Sequence, residues 1–336
     1  MAVRARELGI AIGESSPGRR NAITDVDGVV VGHSTLIAGE AVRTGLTVVV
    51  PPETPLFAGC HRLNGNGELT GLEWVRESGL LTTPIGITNT FSVGVVRDAI
   101  AARSADDDAW SLPVVGETFD GFLNDIRGQH VKTANVEAAF ADASSDVEEG
   151  NVGGGTGMTC HEFKAGIGTS SRTVGSHVVG VLVQANYGLR ERFRVNGVPV
   201  GELIGDRVPK PGPADAGSII GIAATDAPLL PHQCDRLAQR IGLGVARMGG
   251  TAAHSSGDLF FAFATGNRGL DAGQGEIALR MLSDGEITPF YAAVIDATEE
   301  AILNALLAAE TMTGRDGNTA YALPPELLLD ALSARA

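Results

Sequence analysis

The chain has 336 residues, 43% of them hydrophobic and 19% charged, which is long and apolar enough to bury a full core and excludes wholesale disorder. With 25 basic against 40 acidic residues the net charge is −15, so we expect neither a nucleic acid nor an anionic membrane surface as a partner. The 45 glycines have no three-residue period, which excludes collagen and indicates many turns and close backbone approaches.

The sequence gives no sign of export, membrane insertion or a bound metal. The three cysteines, Cys60, Cys160 and Cys234, form no C-x-x-C pair, which favours a reducing compartment over a disulfide framework. The first 22 residues lack an apolar signal core, and no run reaches about 18 consecutive apolar residues. The seven histidines have no H-E-x-x-H spacing. We therefore expect a cytoplasmic protein with no membrane span, no catalytic metal and no cofactor.

Short apolar runs separated by glycine predict many strands and a few amphipathic helices. After a polar arm at 1–21, the predicted elements in chain order are a hairpin around Asp27-Gly28 (23–36), a strand (45–50), a helix (67–81), a strand and helix (84–105), a glycine-rich loop (147–158), a buried strand (176–188), a linker (206–216), a strand (218–228), a helix (231–249), a strand (259–267) and a strand leading into a long helix (289–314). Asp296 and Glu299 have the D-x-x-E spacing of a capping box. Without regular βαβ alternation, this mixture predicts a layered α and β architecture.

The segment His254-Ser255-Ser256-Gly257-Asp258 is the first candidate for chemistry. Its small polar residues run directly into the apolar residues 259–264, which predict a buried strand. A serine at the start of such a strand has its backbone fixed by the sheet while its hydroxyl faces a mobile loop, which suits a nucleophile. The alternative is an ordinary serine and glycine turn before a strand.

Two single residues and one loop are further candidates. Lys164 is one of only three lysines, and a buried lysine can lose its proton and act as a base; otherwise it is a solvated surface residue. Asn186 follows an apolar strand and could donate to an oxyanion, or it could form a turn in Asn-Tyr-Gly. The glycines of 151–158 suggest either a nest of backbone N–H groups for an anion or a flexible loop.

Carboxylates and amides could line a pocket for a substrate with an amino group. Glu117 could hold a substrate ammonium, and Asn64 and Asn89 lie in segments dense in neutral hydrogen-bonding groups. Because the capping box accounts for Glu299, Glu300 is the better functional candidate of the two. For the glutamates the alternative is a solvated helix face, and for the asparagines it is turn chemistry.

Taken together, these segments resemble a known family, the L-aminopeptidase D-amidase/D-esterases and β-peptidyl aminopeptidases. The resemblance runs from about Asn21 to Asn318. The stretches that carry it are NAITDVDGVVVGH, HRLNGNGELTGLEWVRESGLL, PIGITNTFSVGVVRDA, VVGETFDGFLNDI, NVGGGTGMTCHEFKAGIGTSSR, VLVQANYG, IAATDAPLLPHQCDRLAQRIGLGVARMGG, HSSGDLFFAFATGN and DATEEAILNALLAAETMTGRDGN.

The resemblance implies a four-layer αββα sandwich of the α+β class, similar to N-terminal-nucleophile hydrolases but with different connectivity. It also implies a precursor that cuts its own chain before a nucleophile, which here is Ser256. The cut would fall between Ser255 and Ser256 and divide the single domain 1–336 into a large subunit, 1–255, and a small subunit, 256–336. Relatives assemble further, which implies a homo-oligomer such as a tetramer of processed heterodimers.

Individual roles carry over to matching positions. Asn186 matches the oxyanion asparagine, and Lys164 lies where the related nylon-oligomer hydrolases have a catalytic lysine. Thr298 and Glu300 fall where the family has a serine and a glutamate close to the nucleophile, with Glu299 as the alternative glutamate. Glu117 matches a position near the substrate amine.

The function implied is a self-processing serine aminopeptidase or amidase that releases N-terminal residues from short peptides, amides or esters through an acyl-enzyme. Phe119 stands where some relatives carry tyrosine, which affects substrate orientation. Two alternatives remain at this point: an acyltransferase of the ornithine-acetyltransferase type, and a non-catalytic protein on the same fold. The preferences for L- or D-residues and for α- or β-residues depend on pocket shape.

Overall fold

The computed structural model describes residues 3–103, 111–211, 217–271 and 275–334. Its strands are β1 Val30–Ala38, β2 Val42–Val50, β3 Leu56–Gly65, β4 Leu80–Leu81, β5 Ile85–Asn89, β6 Val114–Thr118, β7 Thr159–Cys160, β8 Phe163–Lys164, β9 Ile167–Val174, β10 His177–Asn186, β11 Ser218–Thr225, β12 Gly257–Ala264, β13 Met312–Thr313 and β14 Thr319–Ala320. Its α-helices are α1 Leu72–Ser78, α2 Val93–Ala101, α3 Thr133–Asp142, α4 Val200–Ile204, α5 Pro231–Arg247, α6 Thr288–Leu307 and α7 Pro325–Ser333. Residues 212–216 of the predicted linker lie outside the described residues.

Two sheets stack face to face between two layers of helices. One sheet has the order β1-β2-β5-β6, and the other has the order β4-β3-β12-β11-β10-β9. Helices α2 and α3 pack on the outer face of the first sheet, and α5 and α6 pack on the outer face of the second. Three separate apolar cores fill the three spaces between these four layers. The predicted αββα sandwich is therefore confirmed.

The central strands of the six-stranded sheet are buried on both faces, which explains their nearly continuous apolar sequence. Strand β12 pairs with β11 in parallel and with β3 in antiparallel orientation, and all eight of its residues are buried. Helix α5 covers this sheet through Leu237, Ile241 and Val245, which recur every four residues on one face.

The segment after residue 255 is integrated into the fold. It supplies β12, which lies between β3 and β11, and it supplies α6, which packs on α5, β9 and β10. Removing it would take a central strand out of a six-stranded sheet. Two chains produced by a cut before Ser256 would therefore stay associated through main-chain hydrogen bonds and apolar packing.

Three sequence-based predictions of local structure are wrong. Residues Ile23–Asp25 form a 3-10 turn, and the hairpin turn follows β1 at Gly39 instead of Asp27-Gly28. The expected strand after Pro289 is the first part of α6, because a helix buried on most sides is as continuously apolar as a buried strand. Asp296 and Glu299 thus lie inside α6, and no capping box forms there.

The glycine-rich loop is neither an open nest nor a flexible segment. Gly153, Gly154 and Gly155 form a buried 3-10 turn that packs against β2 and β9. The amide of Gly153 donates to the Thr35 hydroxyl, and that of Gly154 donates to the Thr47 hydroxyl. These N–H groups are occupied within the protein, so the loop serves packing. Within the described ranges, no helix is both long and apolar enough to cross a membrane.

Candidate active site

Ser256 lies immediately before β12, at the end of the sheet where the chain enters the strand. Its side chain is 3% exposed, and its Oγ donates a hydrogen bond of 2.6 Å to Oδ1 of Asp258. Ser256, Asp258 and Asn186 line the same pocket. The hydroxyl therefore has a carboxylate partner and faces a pocket instead of packed apolar side chains.

The loop before Ser256 forms another wall of that pocket, through Thr251, Ala252 and Ala253. The loop ends in a tight turn, in which the amide of Ser256 donates to the carbonyl of Ala253 at 2.8 Å. Ala252 has a φ of +48°, in the left-handed region that a Cβ atom disfavours. The intact chain leaves about 80 Å³ of free space here, room for a few water molecules and too little for a substrate.

Two asparagines of the β3 end hold this loop from the neighbouring strand. Nδ2 of Asn64 donates to the carbonyl of Ala253 at 2.5 Å, and Nδ2 of Asn66 donates to the carbonyl of Ser255 at 2.7 Å. The backbone amide of Asn66 donates to the carbonyl of Ser256 at 3.2 Å. The predicted pocket residue Asn64 thus contacts the loop in the intact chain, and the peptide bond between Ser255 and Ser256 is held on both sides.

Asn186 ends β10 two strands away from β12, on the same rung of the sheet as Gly257. Its Oδ1 accepts a hydrogen bond of 2.9 Å from the amide of Thr159, and its Nδ2 donates to the carbonyl of Phe119 at 2.9 Å. These two contacts fix the orientation of the amide. A carboxamide nitrogen carries two N–H donors, so one remains for a group in the pocket.

Lys164 is fully buried next to this asparagine, but it is not among the residues that line the pocket. Its Nζ donates to the carbonyls of Met158 at 2.8 Å and Ala165 at 2.6 Å. The Met158 carbonyl belongs to the peptide group whose N–H, at Thr159, donates to Asn186. Lys164 is therefore linked to the pocket residue Asn186 through that peptide group. Burial lowers the pKa of Lys164 to about 7.

Glu117 is the fourth of the five residues of β6 and is buried. Its carboxylate accepts hydrogen bonds from the amide of Glu68 and from the hydroxyl of Thr90, and burial raises its pKa. A Cβ atom at Gly67 would lie 2.9 Å from Oε1 of Glu117 and 3.2 Å from Cα of Gly257. The carboxylate therefore approaches the start of β12 across a gap that the missing side chain of Gly67 keeps open.

Asn89, the other predicted pocket residue, is placed elsewhere. It is buried at the end of β5, where its Nδ2 donates to the Thr44 hydroxyl, which in turn donates to Asp120. Its Oδ1 accepts from the amide of Phe91. Asn89 is not among the residues that line the pocket of Ser256. These side-chain hydrogen bonds belong to a polar network at the end of the four-stranded sheet.

Glu300 does not lie beside the nucleophile, which corrects the expectation from the sequence. Its carboxylate is fully buried and forms an ion pair of 2.7 Å with Arg172 and one of 3.0 Å with Arg6. The side chain of Asn21 donates a third contact at 2.5 Å. Glu300 therefore ties the N-terminal arm and β9 to α6.

The register of the sheet gives the separation between these two places. Arg172 shares a rung with Ala264, seven residues along β12 from Gly257. Seven residues of a strand span about 23 Å. The ion pair of Glu300 and the hydroxyl of Ser256 thus lie towards opposite ends of the same sheet.

Thr298 and Glu299 are not among the residues that line the pocket of Ser256, although Glu299 lies close enough to the pocket residue Tyr187 to interact with it electrostatically. The hydroxyl of Thr298 donates to the carbonyl of Val294 in its own helix. Glu299 accepts from the backbone amide of Asn196 at 3.0 Å and contacts Arg247 at 3.7 Å. Sequence proximity had grouped these residues, but a helix directs successive side chains to different faces.

Three residues of this site were missed in the sequence. Asp258 belongs to the predicted serine segment but was given no role of its own, although a carboxylate two residues along a strand lies on the same face as the serine. Asn66 can be recognised only after β3 and β12 are paired. Tyr187 also lines the pocket, and its buried hydroxyl has no hydrogen-bond partner among the residues that the structure describes.

The site offers the groups of acyl transfer and shows no metal cluster. A hydroxyl, a carboxylate at 2.6 Å from it and an oriented amide surround one small space. In residues 3–103, 111–211, 217–271 and 275–334, no group of three or more His, Cys, Asp or Glu side chains could hold a metal ion. The residues present suit attack by Ser256 on a carbonyl whose oxygen is held by N–H donors.

Comparison with known sequences places this arrangement among peptidases. The model of peptidase family S58 matches residues 21–320. A β-peptidyl aminopeptidase of Sphingosinicella microcystinivorans is 47% identical over 356 aligned residues, covering 96% of this chain and 89% of the relative.

Solved structures give the same result. A β-aminopeptidase of a Burkholderia species is 52% identical and has a TM-score of 0.94, with 99% of each chain covered. The L-aminopeptidase D-Ala-esterase/amidase of Ochrobactrum anthropi, described as a prototype of the serine aminopeptidases and a variant of the N-terminal-nucleophile hydrolase fold, is 41% identical. Its TM-score is 0.91, with 99% of this chain and 98% of that chain covered.

Proposed function

This chain belongs to peptidase family S58, and on that premise we propose that it cuts itself between Ser255 and Ser256 and then acts as a serine aminopeptidase. The cut leaves a large subunit of residues 1–255 and a small subunit of residues 256–336. The mature enzyme releases N-terminal residues from short peptides, amides or esters.

The observation that carries the proposal is the position of the Ser256 hydroxyl. It lies at the start of a central strand, in one pocket with Asp258 and Asn186, directly after a loop that fills part of that pocket. A cut at this bond frees the loop at its C-terminal end. The loop can then leave the pocket, and the small space of the intact chain can open to a substrate.

Turnover follows from the newly formed terminus. An α-amine has an unperturbed pKa of about 7.7–8.0, so an appreciable share of it is neutral near pH 7.5 and can accept the proton of the Ser256 hydroxyl. The hydroxyl oxygen then attacks the substrate carbonyl, and the free N–H of Asn186 donates to the oxyanion. The scissile C–N bond then breaks as the α-ammonium gives its proton to the leaving amine, and water hydrolyses the acyl-enzyme and releases the N-terminal residue. Lys164 supports this step by holding the peptide group that orients Asn186.

Glu117 is the proposed partner of the substrate ammonium. Its carboxylate approaches β12 through the gap at Gly67, and nothing bulkier than hydrogen at that position separates them. An anionic group at this point selects a free amino terminus next to the scissile carbonyl. The relatives that are 52% and 47% identical are named for β-residues, so N-terminal β-residues are the first substrates to test.

The experiment compares three purified proteins on amino-acid p-nitroanilides. The wild type is expected to show two bands and to release nitroaniline, whereas Ser256→Ala stays at 34.6 kDa and is inactive. Ser255→Ala, the matched control, keeps the same scissile carbonyl and is expected to cleave and to be active. A Ser256→Ala protein that still hydrolyses these substrates would contradict the proposal.

Hydrolysis is favoured over the acyltransferase alternative. The relatives described above are named as aminopeptidases or as an esterase/amidase, and the residue before Gly257 is serine. A product analysis with an amine acceptor present distinguishes the two: a hydrolase yields mainly the free amino acid, and an acyltransferase yields the acylated amine. The alternative of a non-catalytic protein predicts neither product.

We also propose a cytoplasmic homo-oligomer of processed heterodimers. Cys60, Cys160 and Cys234 are all unpaired, which fits a reducing compartment. The small-subunit segment carries three large apolar side chains that are 45–47% exposed, Ile277, Leu279 and Met281. Alternating exposed apolar residues suit burial against another copy. Size-exclusion chromatography with light scattering measures the mass of the assembly.

A further inference from the structure

Self-cleavage needs a base and an oxyanion donor before the mature site exists. In the intact chain the nitrogen of Ser256 is an amide that donates to the carbonyl of Ala253, so it cannot accept a proton. The Nδ2 of Asn186 contacts the carbonyl of Phe119, not that of Ser255. Of the two groups proposed for turnover, the α-amine therefore does not yet exist, and the asparagine contacts a carbonyl other than that of the bond that is cut first.

A carboxylate already contacts the attacking atom. Oδ1 of Asp258 accepts the hydrogen bond of the Ser256 hydroxyl at 2.6 Å, a short distance typical of a hydroxyl and a carboxylate. Asp258 is 2% exposed, and in the described part of the chain no basic side chain forms an ion pair with it. It is thus placed to take the proton as the oxygen attacks.

A side-chain amide already contacts the carbonyl that is attacked. Nδ2 of Asn66 donates to the oxygen of Ser255 at 2.7 Å, within the range of an oxyanion donor. The Asn66 amide holds the next carbonyl, that of Ser256, and Asn64 holds Ala253. These contacts fix the scissile peptide group from the β3 side, opposite the pocket wall that carries Asn186.

We propose that the chain uses two different sets of catalytic groups: Asp258 and Asn66 for self-cleavage, and the α-amine of Ser256 with Asn186 for turnover. This inference rests on the proposed function. The self-cleavage set is complete in the intact chain and acts once.

Self-cleavage proceeds in two steps, a transfer of the acyl group from nitrogen to oxygen and the hydrolysis of the resulting ester. The Ser256 hydroxyl gives its proton to Asp258, its oxygen bonds to the carbonyl carbon of Ser255, and Asn66 donates to the oxyanion. The C–N bond then breaks as Asp258 returns the proton to the nitrogen, which leaves an ester between Ser255 and the Ser256 oxygen. Water hydrolyses that ester to a carboxylate on Ser255 and a free hydroxyl and amine on Ser256.

The test measures two rates for each variant. Cleavage is followed on gels after a pulse of cell-free synthesis, and turnover is measured per processed site, counted by the amount of small fragment. Asn66→Ala is expected to slow cleavage about 100-fold or more and to lower turnover much less, because one oxyanion donor is worth about 10²–10³ in rate. Asn186→Ala is expected to show the reverse pattern.

Three further variants test the proposed base, Asp258, and the asparagine that holds the loop at Ala253, Asn64. Asp258→Asn keeps an acceptor oxygen for Ser256 and is expected to slow cleavage at least 100-fold, and Asp258→Glu is expected to recover part of that loss. Asn64→Ala, the matched control for Asn66→Ala, removes a contact to Ala253 and is expected to slow cleavage less than tenfold. Thermal melting of each variant checks that it is folded.

The outcomes separate this inference from the proposed function. If the wild type cleaves before Ser256 but Asn66→Ala cleaves as fast as Asn64→Ala, or if Asn66→Ala and Asn186→Ala lose cleavage and turnover in equal ratio, the inference is wrong and the proposed function stands. If the wild type does not cleave before Ser256, the proposed function fails first. If Asp258→Asn does not fold, the comparison of Asn66→Ala with Asn186→Ala still decides, because Asn66 is exposed.

Discussion

The two ends of the six-stranded sheet both bury charged and polar side chains, but they do so in different ways. At one end, both oxygens of Glu300 are occupied by Arg172, Arg6 and Asn21, and Glu300 is not among the residues that line the pocket of Ser256. At the other end, Ser256 and Asp258 contact each other, face a pocket and lie beside a strained loop. A buried carboxylate whose two oxygens are held by two guanidinium groups and an amide stabilises the fold, whereas a hydroxyl and a carboxylate beside a cavity can carry out chemistry.

The largest expected effect comes from disrupting the ion pairs of Glu300. Glu300→Gln leaves Arg172 buried without a full counter-charge and is expected to lower the free energy of unfolding by about 3–5 kcal/mol. Urea unfolding in the Ser256→Ala background measures this on a single, uncut chain. The double variant Arg172→Met with Glu300→Leu is expected to recover part of the loss. If Glu300→Gln unfolds like its parent but abolishes hydrolysis, the assignment of this cluster to stability is wrong.

At the end of the sheet that carries Ser256, the expected effect is on the rate of turnover. Asn186→Ala is expected to reduce kcat by about 10²–10³, equivalent to about 2.7–4 kcal/mol, since it removes the oxyanion donor of turnover. Asn186→Asp is a matched control, because it keeps the oxygen that accepts from Thr159 and loses the N–H donors. Equal kcat in the wild type and Asn186→Asp would show that this amide does not act on the reacting carbonyl.

Glu117, like Glu300, is a buried carboxylate, but its proposed partner is the ammonium group of the substrate. Glu117→Gln is expected to raise KM for substrates with a free ammonium about tenfold or more, with a smaller change in kcat. The measurement is initial rates on an aminoacyl p-nitroanilide over a range of concentrations. Thr90→Val, which removes only the hydroxyl that donates to Glu117, is the control and should change KM less. An unchanged KM in Glu117→Gln would move the ammonium site elsewhere.

The smallest expected effect, for a change of a single pH unit, is the change in stability due to Lys164. Burial lowers the pKa of its amine from 10.5 to about 7, so between these values the unfolded chain binds more protons than the folded one. The stability therefore rises with pH across this window, by up to about 1.4 kcal/mol per pH unit. Urea unfolding at several pH values, in Ser256→Ala with and without Lys164→Met, isolates this slope. Parallel curves for the two proteins would contradict the lowered pKa.

Local sequence patterns predicted the parts of the fold that are continuously apolar. Strands β10, β11 and β12 and helix α5 follow from their apolar runs and their spacing. Strand β9, with the sequence IGTSSRTV, was missed, because its polar side chains are buried only through partners such as Asp25 and Glu300. The first half of α6 was mistaken for a strand, since length and neighbours, not periodicity, distinguish the two.

The residues of the candidate site also divide into those that the sequence predicted and those that it did not. Ser256 and Asn186 could be predicted from the sequence, because each stands next to an apolar strand and matches a family motif. Asn66 and the remote position of Glu300 depend on which strands pair and in which register, and these contacts join residues separated by more than 120 positions. A one-dimensional pattern contains no such information, so the sequence grouped Glu300 with the nucleophile and indicated Asn66 only as one member of a polar segment that could line a pocket.

The most direct test of the account is the N-terminal sequence and intact mass of the purified protein. Cleavage before Ser256 predicts a small fragment of 81 residues, about 8 kDa of the 34.6 kDa total, that begins with Ser256-Gly257-Asp258 and co-purifies with the large fragment until a denaturant is added. An active, uncut chain of 34.6 kDa, or a fragment that begins at any other residue, would contradict it.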